Sequence, residues 1–199
     1  QNRCTRRTTL GYDYPGGLAE YVLAPAALVQ AGHLLPVPAG LPLEVACQAE
    51  PFACALYSLE VCRVGAGSSL AIVGAGPMGL AHLLLARALG AARILVSDMV
   101  EERLRVAEEM GAARCVNPER EDLSRAVLEM TDGLGADAVI VSVGSVAAME
   151  SALPLARKQG WINLFGGTPP GSVLRLDPNL IHYNELFLTG TQNAPADHY

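Results

Sequence analysis

Apolar and polar positions change character along the chain near residue 69. From there short apolar runs alternate with longer stretches of helical period. Ser69–Val73 is a continuous apolar run, and such runs predict strands covered on both faces. Positions 77–89 form an apolar helix stopped by Gly90. The unit then recurs. Strand 93–97 precedes a charged helix, Val100 to Met110, stopped by Gly111. A short strand at Arg114-Cys115-Val116 precedes helix 121–130. Strand 137–142 precedes helix 146–157, strand 161–165 follows, and a last strand lies near 186–189. Strands joined by crossover helices predict an α/β fold, a doubly wound six-stranded parallel sheet of order 3-2-1-4-5-6.

Residues 1–50 read differently. Gly16-Gly17 predicts a turn, and Leu18 to Leu23 a strand after it. Pro36, Pro38 and Pro42 suit an extended connector. The stretch from Pro42 to Val61 is compatible with helix but interrupted by Pro51, and a helix on either side places Glu50 at a junction. The expected division is therefore residues 1–50 and residues 51–199.

The junction of the first strand and helix carries a G-x-G-x-x-G turn, Gly74-Ala75-Gly76-Pro77-Met78-Gly79. In this Rossmann context each glycine has a task. Gly74 permits the reversal, Gly76 lets backbone approach a pyrophosphate, and Gly79 brings helix close to strand. The helix N-terminus, opening with Pro77 and Met78, directs amides and the positive end of its dipole at an anion. Asp98 ends the second strand, 19 positions after Gly79. A carboxylate there accepts the adenosine ribose hydroxyls and repels a 2′-phosphate, which implies NAD. Met99 follows, where an NADP site often presents Arg. Asp98-x-x-Glu101 is also a capping box for the next helix. Arg103 reaches the same ribose, or else lies on a solvated face with Glu101–Arg105 and Arg105–Glu109 pairs. The loops Val143-Gly144-Ser145 and Phe165-Gly166-Gly167 follow strands four and five, where small residues admit the nicotinamide; ordinary strand-to-loop glycines are the alternative.

Composition narrows the field. The 199 residues are 51% apolar and 17% charged, with net charge −6 and a pI near 5.2. No basic run favours nucleic acid. No apolar segment reaches the roughly 18 residues of a membrane span, Leu70 to Ala86 being broken by Pro77 and His82. Five cysteines (Cys4, Cys47, Cys54, Cys62 and Cys115) form no C-x-x-C, and read as reduced thiols of a cytoplasmic protein, four of them in or near the core. The chain starts at Gln1 and ends abruptly, as a fragment of a longer polypeptide would.

Glu50 stands in an otherwise uncharged stretch, Val45 to Ala55. A carboxylate in such company is costly unless paired or metal-bound; an exposed helix-end glutamate is the plain alternative. Cys47 and Cys54 lack a metal-ligand partner at the usual spacing. His33, His82, His182 and His198 are isolated, so they read as structural or solvent-facing. No catalytic base can be named.

Together these motifs resemble the zinc-dependent medium-chain alcohol dehydrogenases, in the branch of sorbitol, other polyol and threonine dehydrogenases. The residues carrying the likeness are Gly16 to Val22, Glu50-Pro51-Phe52-Ala53-Cys54-Ala55-Leu56, the glycine turn, Asp98 and Arg103, Thr131 to Asp137, and Gly166-Gly167. The resemblance implies oxidation of a secondary alcohol by NAD with zinc. It implies that residues 1–50 are a remnant of a β-rich GroES-like catalytic domain. Glu50 matches the acidic residue of the catalytic zinc site, and Cys4 the last cysteine of a structural zinc lobe. Asp98 and Arg103 match adenosine-ribose contacts; Val143, Gly144, Phe165 and Gly166 match the nicotinamide neighbourhood. The cysteine and histidine ligands and the proton-relaying hydroxyl of that family are not found upstream of Glu50, so the chain alone is expected to bind dinucleotide without turnover. The partner implied is a small-molecule alcohol, and relatives pair as homodimers or homotetramers through the last strands, here near Phe187. A silent NAD-sensing module, a zinc-free quinone or enone reductase and a methyltransferase are the rival readings; Glu50 and Asp98 disfavour the second, and the Glu-Pro segment has no role in the third.

Overall fold

The computed structural model describes residues 5–195 and 198. The strands are β1 (Ser69–Val73), β2 (Arg93–Ser97), β3 (Arg114–Val116), β4 (Ala136–Val141), β5 (Ala156–Leu164) and β6 (Phe187–Thr189). They form one sheet in the order β3-β2-β1-β4-β5-β6, with every neighbouring pair parallel. This is the arrangement predicted from the alternation of apolar runs. Because all strands run one way, their carboxyl ends share one side of the sheet, where ligands bind in folds of this kind.

The helices are α1 (Ala26–Gln30), α2 (Leu43–Ala46), α3 (Ala49–Val61), α4 (Pro77–Ala88), α5 (Glu101–Glu109), α6 (Leu123–Met130), α7 (Val146–Ala152) and α8 (Pro178–Asn184). Strand side chains alternate between two apolar layers. Leu70, Ile72, Ile94 and Val96 face Leu59 of α3, Leu83 and Ala86 of α4 and Ala107 of α5. Ala71, Val73, Val139 and Val141 face Ala126 and Val127 of α6 and Met149 and Ala152 of α7. With both faces covered, the central strands β1 and β4 need few polar positions, which explains their continuous apolar runs. At the amino ends of the strands, Asp137 accepts from Ser69 N (2.7 Å), Ser69 Oγ (2.7 Å) and Arg157 Nε (2.5 Å). Burial raises the pKa of this carboxyl, but those hydrogen bonds outweigh it and the pKa falls below the ordinary value.

The structure departs from the sequence reading at several places. Leu18 to Leu23 is not a strand; Leu18, Tyr21 and Leu23 are exposed. A strand needs a neighbour for its backbone groups, and no strand among the described residues runs beside it. The helix expected over 146–157 stops at Ala152, because Pro154 removes a donor and clashes with the preceding turn. A 3₁₀ turn, Leu153–Leu155, then delivers the chain into β5, which starts at Ala156 rather than Trp161. Pairing of β5 with β4 breaks after Ala136↔Ala156 and resumes at Ala138↔Trp161. Pro51 does not separate two helices. It lies in the first turn of α3, where a missing N–H goes unnoticed. Glu50 is therefore inside that turn, and the break with α2 falls at Cys47-Gln48. Cys54 and Cys62 are buried and Cys115 half-buried as expected, but Cys47 is exposed, since α2 presents no buried residue. Among the described residues no helix is long and apolar enough to cross a membrane.

Candidate functional site

β1 ends at Val73 and the chain reverses at Gly74, whose φ of +102° is a left-handed value open to glycine without strain. Gly74 N donates to Ser97 O at 2.7 Å, tying the turn to the end of β2. α4 begins at Pro77 with Gly76 as its N-cap. Proline at the first helical position has its φ preset and lacks only an N–H that the helix leaves unpaired anyway. Gly79 packs the helix against the turn: a Cβ there would stand 1.8 Å from Gly74 O. Gly76 is different. Its φ of −71° suits any residue, and a Cβ there would meet nothing within 4 Å. The fold makes no use of glycine at position 76, and open space lies in front of it. No acidic residue occupies the first turn of α4, and its N-cap Gly76 makes no side-chain cap hydrogen bond, so its first amides and positive dipole end are left to an outside partner.

Asp98 follows β2, with its side chain 10% exposed. Oδ2 accepts from Ala75 N at 2.8 Å and Oδ1 from Val100 N at 2.9 Å. The carboxylate thus braces the glycine turn and starts the loop into α5. A carboxylate has about four lone-pair sites, so capacity remains for hydroxyl groups of a ligand. Arg103 Nη1 lies 3.6 Å from Asp98 Oδ2. The capping box is not formed: Glu101 Oε1 instead accepts from Asn117 Nδ2 at 2.7 Å, and α5 takes Val100 as its N-cap. The charge pairs expected on α5 are replaced too. Arg105 meets Glu102 at 3.1 Å and Glu101 meets Arg120 at 3.0 Å, because the loop after β3 brings Asn117 and Arg120 against the start of α5.

The loops after β4 and β5 lie against the same turn. A Cβ on Gly74 would be 3.3 Å from Val143 Cβ, one on Gly166 would be 2.4 Å from Val143 C, and one on Gly144 would be 2.2 Å from Gly167 O. Gly74, Val143, Gly144 and Gly166 are therefore one cluster at the carboxyl ends of β1, β4 and β5. Phe165 and Met78 join the small apolar group built on Ala53 and Cys54 of α3. Glu50 is one turn ahead on that helix. It is exposed, and its Oε1 accepts from Cys54 Sγ at 3.2 Å. Burial, with that hydrogen bond and the carboxylate charge, pushes the Cys54 thiol up to about 12.

His82 is the polar residue whose place the sequence did not reveal. It is fully buried in α4. Nδ1 lies 2.6 Å from Met78 O and Nε2 2.6 Å from Ser58 Oγ. The carbonyl only accepts, so Nδ1 carries the proton and Nε2 of the neutral ring is an acceptor, sharing the single Ser58 hydroxyl proton with Ala55 O at 2.9 Å. Ser142 Oγ is 3.3 Å from Nδ1, and the Phe165 ring stands edge-on with centroids 4.7 Å apart. Burial holds the imidazole pKa down at about 4.

Residues 77–194 match the family model described as Zinc-binding dehydrogenase. The chain belongs to the zinc-binding dehydrogenase family. The chain is 33% identical over 196 residues to a zinc-type alcohol dehydrogenase-like protein of Haemophilus influenzae, covering 98% of the chain and 55% of the relative. It is 34% identical to the L-threonine 3-dehydrogenase of Pyrococcus furiosus, covering 94% and 52%, and 37% identical to the D-arabitol-phosphate dehydrogenase of Enterococcus avium, covering 80% and 44%. Among solved structures, a Sinorhizobium meliloti 1021 protein assigned as a zinc-binding dehydrogenase, bound to NADP, superposes with TM-score 0.90 at 31% identity, covering 99% of the chain and 57% of that protein. The chain spans about half the length of the curated relatives it matches.

The described residues of this zinc-binding dehydrogenase do not by themselves fit a metal ion: no group of three or more His, Cys, Asp or Glu is gathered among them. Glu50 has Cys54 beside it and, among the described residues, no third donor of that kind. Cys4 lies outside the described residues. The glycine turn does fit a phosphate-bearing ligand, since the volume a side chain at Gly76 would fill is open while its neighbours Gly74 and Gly79 are closed against backbone and side chain.

Proposed function

We propose that this chain is the cofactor-binding part of an oxidoreductase that oxidises a secondary alcohol of a polyol or amino alcohol with hydride transfer to NAD. Residues 51–199 form the dinucleotide domain in this reading, and residues 1–50 belong to the catalytic domain and connector. The open space at Gly76 is the observation that carries it, because no feature of the fold explains a glycine there. Bound NAD supplies the hydride acceptor. The chain's own residues bind and orient it. The first turn of α4, behind Gly74, Gly76, Pro77, Met78 and Gly79, binds the pyrophosphate. Asp98, steadied by Ala75 N and Val100 N, accepts the ribose hydroxyls, with Arg103 alongside. Val143, Gly144, Phe165 and Gly166 form the wall against which the nicotinamide lies. Glu50 serves as one zinc ligand beside donors outside the described residues, and Cys4 belongs to a structural zinc lobe. The chain alone binds dinucleotide without turnover, in the cytoplasm.

The relative with NADP bound makes coenzyme choice the sharpest test. Titration calorimetry of the chain with NAD and NADP is expected to favour NAD by about tenfold or more, since a 2′-phosphate would face the Asp98 carboxylate. Equal affinities would remove Asp98 from its role, and no heat with either would remove the reading.

A further inference from the structure

His82 has no task in the function just described, yet its ring joins four elements. Through Nε2 it meets Ser58 of α3, and through Nδ1 the Met78 carbonyl in the first turn of α4. Ser142 lies just beyond β4 at 3.3 Å, and the Phe165 ring just beyond β5 at 4.7 Å between centroids. Ser142 and Phe165 directly precede Val143-Gly144 and Gly166, the loops that lie against Gly74. An apolar side chain would fill this place with no polar group to satisfy. A buried imidazole is tolerated only with its nitrogens bonded, and here the bonds reach both halves of the site.

We infer that His82 is a positioning residue that holds the loops after β4 and β5 in register with the pyrophosphate turn, so that the two ends of one dinucleotide are gripped at a fixed separation. This rests on the dinucleotide reading above. The turn and the loops are built on different strands, and a ligand that spans them binds according to their relative placement. His82 also bonds Met78 O in the turn, but the turn keeps closures of its own, Gly74 N to Ser97 O and Ala75 N to Asp98 Oδ2. The loops have Gly166 against Val143, but the Phe165 ring stands edge-on to the imidazole and the Ser142 oxygen lies where it can share the Nδ1 proton with Met78 O. Removal of the ring therefore acts on the nicotinamide side and spares the adenosine side.

The experiment compares NAD with ADP-ribose, which keeps the adenosine and pyrophosphate and lacks the nicotinamide. Both are titrated into the chain and into His82→Leu, His82→Gln and Ser142→Ala. In His82→Leu the ratio of the NAD to the ADP-ribose dissociation constant is expected to rise about fivefold, with ADP-ribose affinity within about twofold of the parent. His82→Gln, which keeps a polar group within the space shared by Met78 O and Ser142 Oγ, is expected to restore part of the ratio. Ser142→Ala is expected to move it the same way by about twofold to threefold, and it decides the matter if His82→Leu does not fold. An equal loss of both ligands would show a merely structural role and overturn the inference, as would an unchanged ratio in the folded variants. If the parent binds neither ligand, the dinucleotide reading falls and this inference with it; if it binds both, only the inference is at stake.

Discussion

Replacing Gly76 by alanine separates a glycine kept for a ligand from one kept for the fold. At φ −71° and ψ −179° alanine is unstrained, and its methyl would touch no protein atom within 4 Å. Lower entropy of the unfolded chain stabilises the variant by about 0.4–1 kcal/mol. Loss of glycine at an N-cap costs a similar amount, about 0.5–1 kcal/mol. The two offset, so urea denaturation should give a stability within about 0.5 kcal/mol of the parent. The affinity for NAD should nevertheless drop about tenfold or more, because the methyl occupies the volume in which the pyrophosphate approaches the backbone. Gly79→Ala is the contrasting case. Its Cβ would stand 1.8 Å from Gly74 O and 2.9 Å from Gly74 C, so α4 must move off the turn. Overpacking of this kind costs about 1–3 kcal/mol or more, and stability and binding should fall together. A Gly76→Ala chain that binds NAD as tightly as the parent would refute the reasoning, since the open space would then serve no ligand.

Three further expectations follow from particular side chains. Asp98→Asn keeps the acceptor for Ala75 N and removes the charge, so the preference for NAD over NADP should shrink by about tenfold in paired titrations; an unchanged preference would place the selector elsewhere. His82 has its pKa lowered from 6.5 to about 4, so below pH 6.5 the unfolded chain binds a proton that the folded chain refuses. Stability should therefore be unaffected by this group above pH 6.5 and fall by about 3 kcal/mol between pH 6.5 and 4, a loss that His82→Gln removes; parallel pH curves for the two chains would contradict the burial of a neutral imidazole. Burial pushes the Cys54 and Cys62 thiols up to about 12, whereas Cys47 is exposed. Brief alkylation of the folded chain at pH 8, read by peptide mass, should label Cys47 and leave Cys54 and Cys62 unmodified, and prompt labelling of Cys62 would argue against this packing of α3.

The sheet was legible because its information is local. The central strands β1, β2 and β4 are short apolar runs, α4 and α5 stop before Gly90 and Gly111 and α7 before Pro154, and parallel crossovers leave few orders to choose from. Gly74 and Asp98 stood out for the same reason, one in a turn and the other at a strand end. The misreadings came where local signals competed. Pro154 is a plain stop inside the run 146–157, yet the apolar residues around it imitate a longer helix; Leu153 and Leu155 are buried to feed β5. Leu18 to Leu23 has the composition of a strand, but composition cannot supply a neighbouring strand. His82 reads only as structural or solvent-facing; its burial between α3 and β4 was not legible because its partners Ser58 and Ser142 are 24 and 60 positions away. Its only sequence signal was a polar residue on the apolar side of α4. The bond from Ala75 to Asp98 is likewise a product of folding, spanning 23 positions.

That bond has a practical consequence for anyone redesigning coenzyme preference. One oxygen of Asp98 supports the glycine turn, so the position cannot be emptied or made basic without leaving a backbone donor orphaned under the turn proposed to hold the diphosphate. A swap toward the phosphorylated coenzyme at this site calls for two edits at once: a cation near the ribose, and a substitute acceptor for Ala75. Libraries that vary position 98 alone would be expected to yield weak binders of both coenzymes rather than a clean reversal.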